Sequence, residues 1–366
     1  MSSIVKKKKI VFVIPSFRVG GVDRVVCNII NSLDRDYFDI TLIVCMGDES
    51  YNRLLVLLKS HVKTIILNKN NFRSALPYII KVLKDIKPNI VFTSHNHVGL
   101  AILLCRSLCF KSFKVITRIS TLPSNNISYV FREKVYNKFF SFFVKKADVV
   151  IAQSVEMKEE IQRYYNVRSE RVLAIKNLVD KDYIFEKAVE DCNDVIKSNG
   201  KFTFVSVGIL SEVKGFDVLI ESVKTIIDKG YDNLCFYIIG ENLNDSYDCK
   251  SDLEKKVLEL KLEKYIHFIG FKENPYYYLN QADAFVLSSR KEGFPNVVLE
   301  ALTLGKPCLV TNCVNFEGII DNTNGIIVEK DNVRALAQGI IDIQKLDVQQ
   351  SVELVNFDYT KWLLTI

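Results

Sequence analysis

Short runs of apolar, often β-branched residues alternate with stretches of helical periodicity along nearly the whole chain, and the alternation occurs twice. The first series has strand-type runs at 9–15, 39–45, 62–67, 89–93, 114–117 and 148–152, separated by helical patterns at 22–33, 51–59, 74–86, 97–108, 129–146 and 155–164. The second has strands near 201–207, 234–239, 266–269, 284–287, 307–310 and 325–328, with helices near 216–229, 251–261, 274–281, 296–304 and 332–344. Consecutive strands joined through a helix pair in parallel, and a parallel sheet is covered on both faces. The pattern therefore predicts two Rossmann-like α/β domains, each with a ligand crevice at the carboxyl ends of its strands. The boundaries read as an N-terminal domain over 1–178, a polar linker over 179–200, a C-terminal domain over 201–350 and a terminal segment over 351–366.

With 366 residues, 48% of them apolar, the chain can bury two cores of ordinary size. No run of eighteen apolar residues occurs, and the Lys6 to Lys9 cluster precedes only a short strand-type run ending at Pro15. Neither a signal peptide nor a membrane span is expected, which points to the cytoplasm. Nine cysteines, odd in number and without a Cys-x-x-Cys, read as reduced, buried thiols. Charge divides unevenly. Residues 1–180 carry 29 Lys and Arg against 14 Asp and Glu, whereas 181–366 carry 20 against 29. The basic half should be drawn to an anionic surface or substrate.

The densest chemistry lies between 284 and 307. Ala284 to Leu287 reads as a buried strand, Ser288 to Phe294 as a loop, and Pro295 to Leu304 as a helix with proline near its first turn. Glu292 then sits in the loop above the strand end and Glu300 about one turn into the helix, whose N-terminus favours an anion. Sugar and ribose hydroxyls suit carboxylate acceptors, and a diphosphate suits backbone donors, so the three parts together fit a sugar nucleotide. Two glutamates at this spacing, taken alone, fit two ordinary surface residues of a strand, a loop and a solvated helix better than a site.

The full stretch Ser289-Arg-Lys-Glu-Gly-Phe-Pro-Asn-Val-Val-Leu-Glu-Ala301 resembles the Glu-x7-Glu signature of the family-four retaining glycosyltransferases. The resemblance is moderate at 9–26 and 203–216 and weak between. It implies the α/β GT-B fold, two Rossmann-like domains whose parallel sheets face an interdomain cleft. The implied activity is transfer of a sugar from a nucleotide diphosphate, with UDP expected, to a glycan or lipid-linked acceptor in capsule, O-antigen or lipopolysaccharide assembly. Anomeric configuration would be retained. The nucleotide sugar is a substrate, so no cofactor is expected, and a lysine with a helix N-terminus can stand in for a metal.

Carried over residue by residue, Glu300 would bind ribose hydroxyls and Glu292 those of the transferred sugar. Lys214 and the backbone at Gly293, Phe294, Pro295, Asn296 and Val297 would hold the departing diphosphate. Gly20 and Gly21, between the first strand and first helix, would lie against the reacting sugar and acceptor, and Gly208, Phe268 and Gly270 against the donor. The family pattern Gly-Arg-Leu becomes Gly208-Ile-Leu here, so Ile209 stands where a phosphate-clamping arginine is expected. Either another cation substitutes, with Arg290 and Lys291 as candidates, or the donor binds weakly, or catalysis is lost.

Thr93-Ser-His-Asn-His97 follows the fourth strand and should face the first domain's crevice. His95 is the stronger candidate for the transferred sugar, beside Glu292 and Lys214 as the catalytic set, and His97 for the acceptor; a helix N-cap cluster is the plain alternative. Arg118 resembles an arginine found there in polysaccharide-building members and is a candidate contact for an acceptor phosphate, with a plain surface position as the equal alternative. Residues 129–146 interleave aromatics with Arg and Lys, a pattern that suits an anionic membrane surface or, equally, burial against the sheet. No nucleic-acid motif accompanies it, so nucleic acid is not an expected partner. The chain is thus expected at the inner membrane face as a peripheral protein. Two alternatives remain open from the sequence: a non-catalytic subunit that keeps the fold, and a sugar-nucleotide epimerase of the same architecture. Phe357-Asp-Tyr-Thr-Lys-Trp362 resembles the start of the family's last helix, which returns to the first domain.

Overall fold

The structure is a computed structural model, and it describes residues 6–18, 20–48, 52–109, 113–121, 123, 131–190, 196, 200–242, 248–346 and 356–366. Two compact units divide the chain: Met1–Leu178 with Asn356–Ile366, and Val179–Val355.

Unit 1 runs β1 (Lys8–Ile14), α1 (Gly21–Ser32), β2 (Phe38–Val44), β3 (Lys63–Ile66), α2 (Phe72–Ile86), β4 (Ile90–Thr93), α3 (Asn96–Cys109), β5 (Lys114–Arg118), α4 (Phe131–Val144), β6 (Val149–Ala152), α5 (Val155–Tyr165) and β7 (Val172–Ala174). Its seven strands are all parallel, in the order β3-β2-β1-β4-β5-β6-β7. Alternation along each strand splits the core. Val11, Val13, Val91 and Val115 bury on one face with residues of α2 to α5. Ile10, Phe12, Ile14, Phe92 and Ile116 bury on the other with α1. This double coverage is why these strands read as continuous apolar runs.

Unit 2 runs α6 (Lys181–Ala188), β8 (Phe202–Val207), α7 (Phe216–Ile227), β9 (Leu234–Ile239), α8 (Cys249–Glu259), β10 (Ile266–Gly270), α9 (Pro275–Gln281), β11 (Ala284–Leu287), α10 (Asn296–Thr303), β12 (Cys308–Thr311), β13 (Gly325–Val328) and α11 (Val333–Ile343). Six parallel strands are ordered β10-β9-β8-β11-β12-β13. Each sheet reverses its winding once, between β1 and β4 and between β8 and β11. Loops leaving the carboxyl ends of these two strand pairs are the places where an open α/β sheet offers a crevice.

A final helix, α12 (Tyr359–Thr365), belongs to unit 1, where Tyr359 and Leu363 join the same core face as α1. Its N-cap Asp358 accepts a bond from Lys361 N at 2.8 Å, and Lys8 Nζ donates to Leu364 O at 2.9 Å.

Three segments differ from the periodicity reading. The helix expected over 51–59 is a 3-10 turn at Arg53–Leu57, because Asn52 ties the backbone down: its Nδ2 donates to Met46 O and Asp48 O, and its Oδ1 accepts from Phe17 N. β7 was not anticipated, being three residues long. The stretch expected as linker contains α6, capped by Asp180, whose side chain accepts from Tyr183 N. Residues 129 and 130 of the aromatic, basic segment lie outside the described residues, as do most of 191–199. In the rest of that segment, Phe140, Phe143 and Val144 bury against the sheet, while Val135, Phe139 and Phe142 remain exposed. Burial against the sheet thus accounts for part of α4, and its remaining apolar side chains face solvent. Seven described cysteines are buried and unbridged.

Candidate functional site

At the β8/β11 reversal, the loops 208–215 and 288–295 are stitched together. Gly215 has φ +63, and a Cβ there would lie 2.2 Å from Ser288 O, so glycine is required for both conformation and space. Ser288 Oγ donates to Lys214 O at 2.9 Å, and Arg290 N donates to Val213 O at 2.8 Å. The Lys214 side chain runs over Gly208, where an added Cβ would come within 3.2 Å of Lys214 Cε. Lys214 Nζ so reaches Glu292 Oε1 at 2.6 Å, and Ser289 Oγ donates to the same oxygen at 2.7 Å. Lysine and glutamate are both largely buried.

Directly after Glu292, Phe294 is buried and Pro295 forms the N-cap of α10, with no side-chain cap on the helix. Proline therefore precedes the helix rather than opening its first turn, and Asn296 and Val297 begin it. Glu300 follows one turn in, where Tyr276 Oη donates to its Oε1 at 3.3 Å. On the other side of β8, Gly240 N donates to Gly270 O at 2.9 Å, and a Cβ on Gly240 would lie 1.8 Å from Gly208 O. The ends of β8, β9 and β10, with half-buried Phe268 on the last, therefore approach closely. Ile209 is 39% exposed.

Arg290, one candidate to replace the missing arginine, is already engaged by protein groups. Its guanidinium grips Asp217 through two bonds of 2.8 and 2.7 Å, donates to Asp331 Oδ1 at 2.5 Å, and donates to Glu212 O at 2.6 Å. These carboxylates and bonds hold its pKa above the ordinary arginine range, although burial opposes them. Lys291 is exposed.

At the β1/β4 reversal in unit 1, Gly20 caps α1 in extended backbone, and a Cβ there would meet nothing within 4 Å. Gly21 opens the helix, and Asp23 in its first turn is 6% exposed. Asp23 Oδ2 accepts from Arg18 N at 3.0 Å, while Oδ1 lies 3.5 Å from His95 Nε2. Burial pushes the Asp23 carboxyl up to about 7, against the opposing pull of Arg18. Burial, reinforced by His97 and Arg118, pushes His95 down to about 4. His97 packs edge-on to Phe72, ring centroids 5.4 Å apart, and burial lowers its pKa too.

Arg118, expected to meet an acceptor phosphate, is enclosed instead, at 1% exposure. Its Nη1 donates to Ser94 Oγ at 3.0 Å and its Nη2 to Asn177 Oδ1 at 2.5 Å, and Asn177 in turn donates to Gln153. Burial lowers its pKa to about 10. Register accounts for the placement: Arg118 ends β5 one residue past the Thr93–Thr117 pair with β4, within reach of Ser94.

Sequence reasoning missed Asp23, Ser289, Tyr276 and the bracing role of Arg290. An acid in the first turn of a helix is ordinary by itself, and Tyr276 sits in a helix that reads as packing. Only the Gly-Gly pair before Asp23 offered a signal. Among the described residues, no group of three His, Cys, Asp or Glu could hold a metal ion.

Two family profiles match the chain, glycosyltransferase family 4 over residues 19–183 and glycosyl transferases group 1 over 190–355. The N-acetylgalactosamine-N,N'-diacetylbacillosaminyl-diphospho-undecaprenol 4-alpha-N-acetylgalactosaminyltransferase of Campylobacter jejuni is 26% identical over 341 residues, 91% of this chain and 89% of that protein. The capsular polysaccharide biosynthesis glycosyltransferase CapM of Staphylococcus aureus is 26% identical over 287 residues, 74% of this chain and 71% of its own. An uncharacterized glycosyltransferase of Methanocaldococcus jannaschii, MJ1059, is 29% identical over 243 residues, 64% of this chain but only 58% of that protein's length. Anabaena HepE, solved in complex with UDP, superposes with a TM-score of 0.73 at 17% identity, covering 94% of this chain and 91% of HepE. With both sheets, both reversal points and both profiles in agreement, the chain belongs to the group 1 and family 4 glycosyltransferases and has their GT-B fold.

Proposed function

We propose that this chain is a retaining glycosyltransferase that moves a sugar from a UDP-linked donor to a glycan or lipid-linked acceptor in cell-surface polysaccharide assembly. The observation that carries the reading is the Lys214–Glu292 contact of 2.6 Å, made where the β8 and β11 loops meet beside the start of α10. Glu292 takes hydroxyls of the transferred sugar and Glu300 those of the ribose. Gly208, Phe268 and Gly270 frame the nucleotide. As the glycosidic C–O bond breaks, its electron pair passes to the diphosphate oxygen. Lys214 and the backbone from Gly293 to Val297 stabilise that growing charge, which selectively lowers the transition state. The acceptor hydroxyl attacks the same face of the anomeric carbon and gives its proton to the departing phosphate, which retains configuration without a covalent enzyme intermediate. A lysine and a helix start supply the positive field, so no metal is required.

In unit 1, His95 and the Gly20-Gly21 turn are assigned to sugar recognition and His97 to the acceptor. Support for UDP comes from the HepE complex, and support for a lipid-linked acceptor from the undecaprenol named in the Campylobacter relative. No helix among the described residues is long and apolar enough to cross a membrane. Val135, Phe139 and Phe142 instead form an exposed row at i, i+4 and i+7 on α4, with Lys146 Nζ 4.8 Å from the Phe142 ring, and this row suits shallow insertion into an anionic leaflet at the inner face of the cell membrane.

The test is a thermal-shift screen of UDP-sugars followed by transfer assays with the best stabiliser. Stabilisation by UDP, transfer with retained configuration, and loss of transfer in Lys214→Ala support the reading. Transfer undiminished in Lys214→Ala sinks the assignment of the diphosphate site. Stabilisation without turnover favours a non-catalytic subunit, for which Ile209 is the motivating departure. Cosedimentation with anionic vesicles that survives Phe139→Ser with Phe142→Ser removes α4 as the membrane contact.

A further inference from the structure

Arg118 is among the largest fully buried side chains of the protein, at 1% exposure, and among the described residues no carboxylate forms an ion pair with it. Burying a cation without a counter-charge is expensive, so its hydrogen bonds must offset the cost.

Those bonds cross the sheet. Nη1 donates to Ser94 Oγ at 3.0 Å and Nη2 to Asn177 Oδ1 at 2.5 Å. Asn177 Nδ2 donates to Gln153 Oε1 at 2.9 Å, and Gln153 Nε2 donates to Ile119 O at 3.0 Å, which closes the ring beside Arg118. Ser94 follows β4, Arg118 ends β5, Gln153 follows β6 and Asn177 lies three residues beyond β7, and these strands are neighbours in that order. All four side chains are buried. One polar network therefore ties the carboxyl ends of four adjacent strands, and away from water its bonds are stronger than the same bonds at a surface.

Both ends of the network reach backbone that matters to the site. Ser94 immediately precedes His95. Asn177 immediately precedes Leu178, the last residue of unit 1 before the chain passes to unit 2, and Leu178 O accepts from Asn28 Nδ2 of α1 at 2.9 Å. Tyr359, on the segment by which the chain returns to unit 1, is near enough to influence the guanidinium. A planar fork holds two oxygens on different loops at once, which the single ammonium of lysine does not.

We propose that Arg118 is a positioning residue for sugar transfer: an interior cross-tie whose guanidinium holds the His95 loop and the chain's exit from unit 1 in one fixed arrangement, without touching substrate. The proposal rests on the sugar-transfer reading, in which His95 recognises the sugar, and it replaces the acceptor-phosphate contact expected from the sequence.

The experiment uses the full-length chain with Arg118→Lys, which keeps the charge and loses the fork, and with Asn177→Ala, which removes the far anchor. Ser94→Ala, which removes a single bond, carries the same test if the larger changes prevent folding. His95 is followed through its Cε1–H NMR signal, told apart from the other three histidines by His95→Gln. Asp23 Oδ1 lies 3.5 Å from His95 Nε2, and burial, His97 and Arg118 hold the imidazole down to about 4. With the tie loosened, water reaches the ring, so its titration midpoint should rise by about one unit in both variants. UDP affinity, read by calorimetry, should stay within about twofold because the diphosphate site is in unit 2. Meanwhile kcat, measured as UDP release from the fastest of UDP-glucose, UDP-galactose and their N-acetylamino forms, should fall about 10- to 100-fold. The proposal is overturned if either variant leaves the His95 midpoint where wild type has it, since a lower Tm without that shift marks a purely structural role. Wild-type kcat in Arg118→Lys also overturns it, and a raised KM alone marks a substrate contact. If wild type releases UDP from none of these sugars, the transfer reading fails separately, and the midpoint alone decides whether the tie holds the His95 loop.

Discussion

Replacing Arg290 by glutamine separates two roles that its charge alone cannot. As a phosphate clamp, Arg290 would contribute to donor binding and little to folding. The geometry makes it a brace: one guanidinium joins the 288–294 loop to Asp217 at the start of α7, to Asp331 before α11 and to the carbonyl of Glu212 beside Lys214. Buried charge-assisted bonds contribute about 1.5–3 kcal/mol each. Asp217 is 38% and Asp331 50% exposed, so solvent screening reduces each ion pair towards the roughly 0.2–1 kcal/mol of surface pairs. A loss near 2 kcal/mol in total is the reasonable sum, which lowers the Tm of unit 2 by about 4–8 °C. Freed from Glu212 O, the Lys214 turn also shifts against Glu292, and misplacement on that scale lowers kcat/KM by about 10- to 100-fold. Arg290→Lys keeps the charge but not the fork, so it should recover little of the stability. Calorimetry with steady-state kinetics and UDP titration measures all three quantities. If Arg290→Gln melts like wild type while UDP affinity falls and Arg290→Lys restores it, the brace is wrong and the residue binds phosphate after all.

Other substitutions probe the rest of the site. Gly215→Ala places a Cβ 2.2 Å from Ser288 O at φ +63; it should destabilise unit 2 by about 1–3 kcal/mol and abolish transfer, as seen by denaturant melts and activity. Ile209→Arg restores the cation that the family pattern has there and should tighten UDP binding about tenfold, read by titration calorimetry; unchanged affinity would show that Ile209 does not border the diphosphate. Asp23 has a folded pKa of about 7 against an ordinary 3.8, so its proton stays on in the fold and wild-type stability falls as pH rises between those values; Asp23→Asn removes that fall and gains on wild type by about 1.4 kcal/mol per pH unit across the window. His95, at about 4 against 6.5, acts in the opposite sense, so His95→Gln loses on wild type over pH 4 to 6.5; urea melts at several pH values test both slopes.

The parts that the sequence made legible are those encoded by neighbours in the chain. Glu292, Gly293 and Glu300 fall within nine residues, and the strand, loop and helix that present them follow from one local change of periodicity. Helices missed or misplaced were governed by single side chains with distant or unpatterned effects. Asn52 locks a 3-10 turn where five apolar residues suggested a helix, and Asp180 caps α6 in a stretch whose polarity read as linker. Arg290 was assigned by type, as one more cation, because nothing local announces that Asp217 and Asp331, 73 and 41 positions away, converge on it.

Asp23 and His95 show the same limit more sharply, and they also show why the two sheets are best understood side by side. They stand 72 positions apart in the sequence, yet parallel pairing of β1 with β4 sets Ile10 beside Ile90 and Val13 beside Thr93, which carries the loops after both strands to one edge. β11 and β8 do the same in unit 2, pairing Ala284 with Phe204 and Phe285 with Val205, and so bring Glu292 to Lys214. In that unit the converging side chains satisfy one another through an ion pair. In unit 1 they do not: a carboxyl and an imidazole stop at 3.5 Å, each pushed by burial towards its neutral form. One topological device thus acts twice in this fold, and among the described residues it ends in an ion pair in unit 2 and in a separated carboxyl and imidazole in unit 1.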